Sequence, residues 1–272
     1  MSNLVQRTIS GTFYVAAIVL SIVLTPNFFF VLFAAVSFCA VWEFCRLLKL
    51  DKWLSFWSSL SAAVAFAIRI PAIQAIHAVE WVYLLLVIFV LVAELFRKQP
   101  DPIRNWGYYL TSQVLIAAPF ALLVPMLFFS GWEFGRFIVL AMFVCVWAND
   151  TGAYLTGSLL GKHKMIPRVS PGKTWEGLIG GFIFSLVAGY IFFLCLPEWP
   201  LWKWLVLAFT ISAAGTLGDL MESLMKRAIG VKDSGNFLPG HGGVLDRFDS
   251  ILLAAPIVTA LSYICYFLAP LF

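Results

Sequence analysis

Charge is what this sequence has least of. Only 12% of its 272 residues are Asp, Glu, Lys or Arg, while 62% are hydrophobic. An ordinary soluble domain is roughly half apolar and about a quarter charged, so a water-facing surface cannot be built here. Disorder is excluded too, because it needs low hydrophobicity and high net charge. There are 3 histidines, and the 5 cysteines form no C-x-x-C pair. Cys39, Cys45, Cys145, Cys195 and Cys265 all fall in apolar runs, which predicts buried thiols and argues against a disulfide framework or a structural zinc site. No internal repeat is visible, and long hydrophilic stretches are confined to two late loops.

What the chain does have is apolar runs near the length of about 20 residues that crosses a bilayer. Nine are expected, over Ile9–Leu24, Phe28–Cys45, Leu54–Ile70, Trp81–Phe96, Tyr108–Phe129, Phe137–Tyr154, Trp175–Leu196, Leu201–Leu217 and Ser250–Ala269. Arg7 ahead of the first run resembles a signal peptide. A second run follows almost at once with no small-residue cleavage site, so the first is read as a helix. The 11 Trp and 8 Tyr suit membrane interfaces. The expected fold class is an all-α polytopic membrane protein of about nine transmembrane helices.

The basic residues alternate in side. Arg7, then Arg46, Lys49 and Lys52, then Arg97, Lys98 and Arg104, then Lys162, Lys164, Arg168 and Lys173, then Lys226, Arg227, Lys232 and Arg247 fall on one side of the nine runs. Only Arg69, Arg136 and Lys203 fall on the other. The positive-inside rule then puts the N-terminus in the cytoplasm. The two halves differ. Residues 1–140, with about five spans, read as a transmembrane bundle; residues 141–272, with about four, hold five of the seven aspartates and read as the working region.

Four groups of polar residues stand out there. Asp150 follows Asn149 at the end of the sixth run, where an ionisable residue is either functional or simply solvated at the interface. The loop Gly161–Lys173 carries four cations and no acid, which suits lipid headgroups. Its end, Ser170-Pro171-Gly172-Lys173-Thr174-Trp175-Glu176-Gly177, predicts a Pro-Gly turn and a capped helix whose N-terminus, with Lys173 beside it, favours an anion. It is not a P-loop, since the spacing of that motif is absent. Gly177 and Gly181 have the spacing of close helix packing. If the eighth helix continues, Asp219, Glu222, Ser223 and Lys226 share one face, as a reactive stripe or as an internal ladder of ion pairs. Asp246 and Asp249, three apart at the start of the last span, are expected to point the same way, and with Asp219 they form an oxygen-ligand set suited to Mg2+. His241, in Pro-Gly-His-Gly-Gly, is read first as a structural hydrogen-bonder.

The whole run, Ser223-x-Met225-Lys226-Arg227-x4-Lys232-Asp233-x-Gly235-x-x-Leu238-Pro239-x-His241-Gly242-Gly243-Val244-x-Asp246-Arg247-Phe248-Asp249, resembles the signature of the CDP-diacylglycerol synthases, or phosphatidate cytidylyltransferases. Each fixed position of that signature is filled, over 27 residues. The resemblance extends to Ser170, Lys173 and Glu176 and to Asp150 near Trp147. The first ~140 residues match only in hydropathy.

The resemblance implies an enzyme that joins phosphatidate to CTP, giving CDP-diacylglycerol and pyrophosphate in phospholipid synthesis. It implies Mg2+ on Asp219, Asp246, Asp249 and Asp150, with a second cation left open. Lys173, Lys226, Arg227, Lys232 and Arg247 would neutralise the phosphates, and Ser170, Glu176, Ser223, Asp233 and His241 would line the substrate site. The expected place is the cytoplasmic ends of the last four helices, in a bacterial inner membrane, with CTP from the cytoplasm and phosphatidate from the inner leaflet. Other membrane lipids are expected partners and nucleic acid is not; a homodimer is compatible with the sequence. A transporter would instead want midplane charges and repeats.

Overall fold

A computed structural model describes residues 3–74, 76, 78–235 and 242–268. The chain forms two compact units. The first comprises residues 1–125 and 233–248, the second residues 126–232 and 249–272. A short late segment therefore completes a unit begun by the first 125 residues, and residue 140 falls inside a continuous helix.

In the first unit, α1 (Asn3–Val23), α2 (Pro26–Leu47), α3 (Lys52–Ala67), α4 (Pro71–Gln74), α5 (Val79–Phe96) and α6 (Pro102–Thr111) lead through a π-helical turn (Ser112–Ala117) into α7 (Ala118–Leu127), which reaches the unit boundary. The starts are written locally. Thr25 accepts from the Phe28 amide ahead of Pro26, Asp51 from those of Trp53 and Leu54, and Asp101 from that of Arg104 ahead of Pro102. A cap and a proline in the first turn satisfy or remove amides the helix leaves unpaired. Behind the Asp51 cap, Arg97 bonds Asp51 and the buried Glu94 (2.7 Å to the latter) and lies over the Trp53 ring at 4.2 Å. Glu94 also accepts from Asn105. The late segment contributes α11 (Leu245–Phe248), whose Phe248 ring meets Tyr14, Phe33 and Phe120 at 5.7, 6.1 and 5.4 Å.

The second unit contains α8 (Trp132–Leu160), the antiparallel hairpin β1 (Lys164–Ile166) and β2 (Ser170–Thr174), α9 (Trp175–Cys195), α10 (Leu201–Ile229) and α12 (Ile251–Leu268). Helices α8 and α9 pack with almost no space between them: a Cβ on Gly180 or Gly181 would run into Thr156 or Asn149 of α8. The close packing predicted from the glycine spacing is therefore found. The Pro-Gly turn is not. Pro171 and Gly172 lie within β2, and the chain reverses at residues 167–169. A two-stranded hairpin has only edges, where proline's missing N–H is tolerated. Thr174 caps α9 as expected, accepting from the Gly177 amide at 3.1 Å.

Among the described residues, seven helical stretches are long and apolar enough to cross a membrane, by length and composition: Pro26–Leu47, Val79–Phe96, Pro102–Leu127, Trp132–Leu160, Trp175–Cys195, Leu201–Ile229 and Leu245–Ile264. They coincide with seven of the nine expected runs. The first expected run falls on α1 and the third on α3, which has 16 residues. The chain is thus built as an all-α, multi-pass membrane protein with one added hairpin. The four cysteines with described side chains are free thiols. Cys45 and Cys145 are buried and Cys39 is half-buried, but Cys195, at the end of α9, is exposed rather than buried as expected. The side chain of Cys265 lies outside the described residues.

Candidate active site

Helix α10 runs unbroken to Ile229, so Asp219, Glu222, Ser223 and Lys226 do share a face. Their partners decide between the two readings of that stripe. Glu222 and Lys226 form an internal pair at 2.6 Å, and the Ser223 hydroxyl donates to Asp219 at 3.2 Å. Asp219, however, also reaches outside its helix. Lys173 of β2 meets its carboxylate at 2.7 Å and contacts the Thr216 carbonyl at 3.5 Å. The basic hairpin and the acidic helix face are therefore joined at one ion pair. Deeper in, Asn149 of α8 donates to the Thr216 hydroxyl at 3.4 Å and accepts from Ser212, which fixes α8 beside α10.

Asp249 lies in the break between α11 and α12. It accepts from the Ser250 amide at 2.6 Å and sits in the electrostatic field of Asp219, Glu222 and Asp150. Helix α8 continues past Asp150 to Leu160, and the Asp150 side chain is exposed on it. Four acids thus converge on one region of the second unit, with Lys173 and Lys226 paired to two of them. Among the described residues, no three His, Cys, Asp or Glu side chains stand close enough to hold a metal ion by themselves. Mg2+ does not demand that, since it keeps several waters and takes one or two carboxylates together with substrate phosphates. The all-oxygen donor set and the excess of like charge around Asp249 fit a hard divalent cation.

Asp246 behaves differently. The single helix expected to carry both late aspartates is interrupted at residues 249–250, so Asp246 and Asp249 do not share one helical face. In the first unit, Asp246 accepts from the Ser234 amide at 2.9 Å and the Gly243 amide at 2.9 Å, bringing both to one carboxylate. Gly242, at φ 81°, supplies the left-handed turn that this requires. A residue of α2 closes the other side. Glu43, 8% exposed, accepts from the Ser234 hydroxyl at 2.9 Å and the Leu245 amide at 2.8 Å. Beside Glu43 lies a cavity of about 700 Å³ whose lining includes Phe38, Trp42, Arg46 and Gly235.

The remaining expected residues divide by what they touch. Glu176 accepts from the Lys162 and His163 amides at 3.1 and 3.2 Å and contacts the His163 ring at 2.6 Å, so it anchors the base of the hairpin. Arg227 donates to the carbonyls of Val169 (3.4 Å) and Val231 (3.0 Å), holding the hairpin's turn from the end of α10. Ser170 is half-buried in β2, while Lys232, Asp233 and Arg247 are exposed. The Arg247 carbonyl accepts from the Tyr14 hydroxyl at 2.9 Å. His241 lies outside the described residues. Glu43 was missed by sequence reasoning, although a lone acid in an apolar run was a signal for it.

The chain belongs to the cytidylyltransferase family, whose model matches residues 5–265. It is 33% identical to the phosphatidate cytidylyltransferase of Haemophilus influenzae, over 92% of this chain and 96% of that one. The phosphatidate cytidylyltransferase of Staphylococcus haemolyticus is 49% identical over 138 residues, 50% of this chain and 53% of its own. That of Staphylococcus saprophyticus is 48% identical over 128 residues, 47% of this chain and 49% of its own.

Proposed function

We propose that the protein transfers the cytidylyl group of CTP to phosphatidate, forming CDP-diacylglycerol and pyrophosphate. The observation that carries this reading is the complete Ser223–Asp249 run within a chain that matches the family along nearly all its length. A phosphate oxygen of phosphatidate attacks the α-phosphorus of CTP, and the bond from that phosphorus to the bridging oxygen of the β-phosphate breaks. Such a transfer needs positioning and charge neutralisation more than covalent help. No general base is required, because the lipid phosphate is already anionic near neutral pH.

The residues suit these tasks. Lys173 and Lys226, each held beside an acid, keep cationic ends where triphosphate charge needs balancing. Arg247 and Lys232 are exposed and suit the lipid phosphate or the leaving pyrophosphate. Arg227 and Glu176 support the reaction by holding the hairpin in place. In this reading Asp219, Asp249 and Asp150 would hold Mg2+; the motif resemblance implies Asp246 as well, whose carboxylate in this structure accepts from the Ser234 and Gly243 amides. When bound, the ion would neutralise phosphate charge and polarise the reacting phosphorus. Nine spans with a cytoplasmic N-terminus, as the distribution of basic residues supports, would set this chemistry where CTP is dissolved and phosphatidate arrives from the inner leaflet. With bacterial relatives, the membrane meant is the cytoplasmic one, called inner where an outer membrane is present.

The test is pyrophosphate release by purified protein in detergent micelles. Release is expected only with CTP, phosphatidate and Mg2+ together, and a chelator should abolish it. Folded protein that releases none with all three present rejects the reading.

A further inference from the structure

Glu43 is an acid in the middle of chemistry it was not expected to join. It lies on α2 among apolar neighbours, where a carboxylate without partners would be strongly disfavoured. Among the described residues, its hydrogen bonds come from one stretch of chain about two hundred residues away in sequence: the Ser234 hydroxyl, the Leu245 amide and the Val244 amide. Gly235 and Gly243 of the same segment press against it so closely that a Cβ on either would collide with its carboxylate. A side chain at either motif position would have to displace Glu43, and at Gly243 the Ser234 hydroxyl as well.

The geometry closes a loop of dependence. Ser234 gives its amide to Asp246 and its hydroxyl to Glu43. Leu245, next in the chain to Asp246, gives its amide to Glu43. Asp246 therefore joins Ser234 to Gly243, while Glu43 ties Ser234 and Leu245 to a long helix. Without Glu43, Asp246 and Arg247 would keep their local turn but lose their fixed place relative to α2. We infer that Glu43 is a positioning residue for the transfer reaction, setting the Asp246–Arg247 turn without touching substrate; the inference rests on the reaction proposed above.

Glu43→Gln can keep one acceptor oxygen for the Ser234 hydroxyl and the Leu245 amide, but turns an NH2 group toward the Val244 amide. The expected result is a fall in kcat per folded molecule of about 10- to 100-fold, with KM for CTP changed by less than about threefold. Amide hydrogen exchange should speed up at Ser234, Gly243 and Leu245 and stay unchanged along α10. Ser234→Ala, which removes only the hydroxyl donor, should lower kcat less, and the double variant should fall short of the product of the two effects because both act on the contact between Glu43 and one segment. It also serves as the test if Glu43→Gln does not fold. A kcat within twofold of wild type, effects that multiply in the double variant, or unchanged exchange at those amides overturns the inference. If wild-type protein releases no pyrophosphate, the transfer reading falls instead, and the exchange measurement alone decides whether Glu43 holds the segment.

Discussion

The two units each concentrate carboxylates, and they treat them in opposite ways. In the first unit, Glu43 accepts from a backbone amide and a hydroxyl and Asp246 from two backbone amides, contacts that hold parts of one segment together. In the second, Asp219, Glu222, Asp249 and Asp150 face one another and two lysines. A carboxylate saturated by N–H donors is a fastener. Carboxylates crowded against like charge store repulsion that an incoming cation or a cation–phosphate complex relieves. Acidic residues in one sequence motif can therefore have unlike jobs, and partners rather than motif membership tell them apart.

Variants should separate the two kinds of acid. The largest effect is expected for Asp219→Asn, with turnover down about 100- to 1,000-fold in the pyrophosphate assay and an unchanged unfolding midpoint in detergent. Asp246→Asn should lower the unfolding midpoint as well, at a cost of about 1–3 kcal/mol for amides left unsatisfied. Equal midpoints for the two variants would erase the distinction. Next comes Lys173→Gln, which leaves Asp219 without its ion-pair partner. Turnover should drop about tenfold and KM for CTP rise; normal kinetics would mean the hairpin is only a topological basic loop.

The smallest effect concerns Asp51, a third fastened acid of the first unit. Partial burial works against its charge, but Arg97 and the Leu54 and Trp53 amides outweigh this and hold its carboxyl below the usual range. A depressed folded-state pKa contributes stability that is present above the unfolded value and lost as pH falls through the folded one. Asp51→Asn should accordingly lower the unfolding midpoint slightly at neutral pH, and the difference should vanish in acid. A difference that persists at low pH would show that charge is not its source.

Much of the fold was legible because hydropathy and caps are local signals. The runs Phe28–Cys45, Trp81–Phe96 and Trp175–Leu196 fall on helices that the structure keeps, and the cap expected ahead of α9 is supplied by Thr174. The stripe on α10 and the packing role of Gly181 were legible from helical spacing. The hairpin was not, because its strands are short and depend on Glu176 gathering two amides from the far end of the loop. The break at Asp249 was hidden by an apolar pattern that reads as one continuous helix. Glu43 could not be paired from sequence at all, since nothing near it names Ser234 or Leu245 as partners.

Residues 233–248 complete a unit whose other members end at Pro125. The intervening hundred or so residues take about 5–20 s to synthesise at ordinary elongation rates. During that interval α1 to α6 have already been synthesised, but α11 and the donors for Glu43 do not yet exist. Insertion and closure are thus separate events in the birth of this protein, and a nascent chain halted before Asp233 would carry the unit still open.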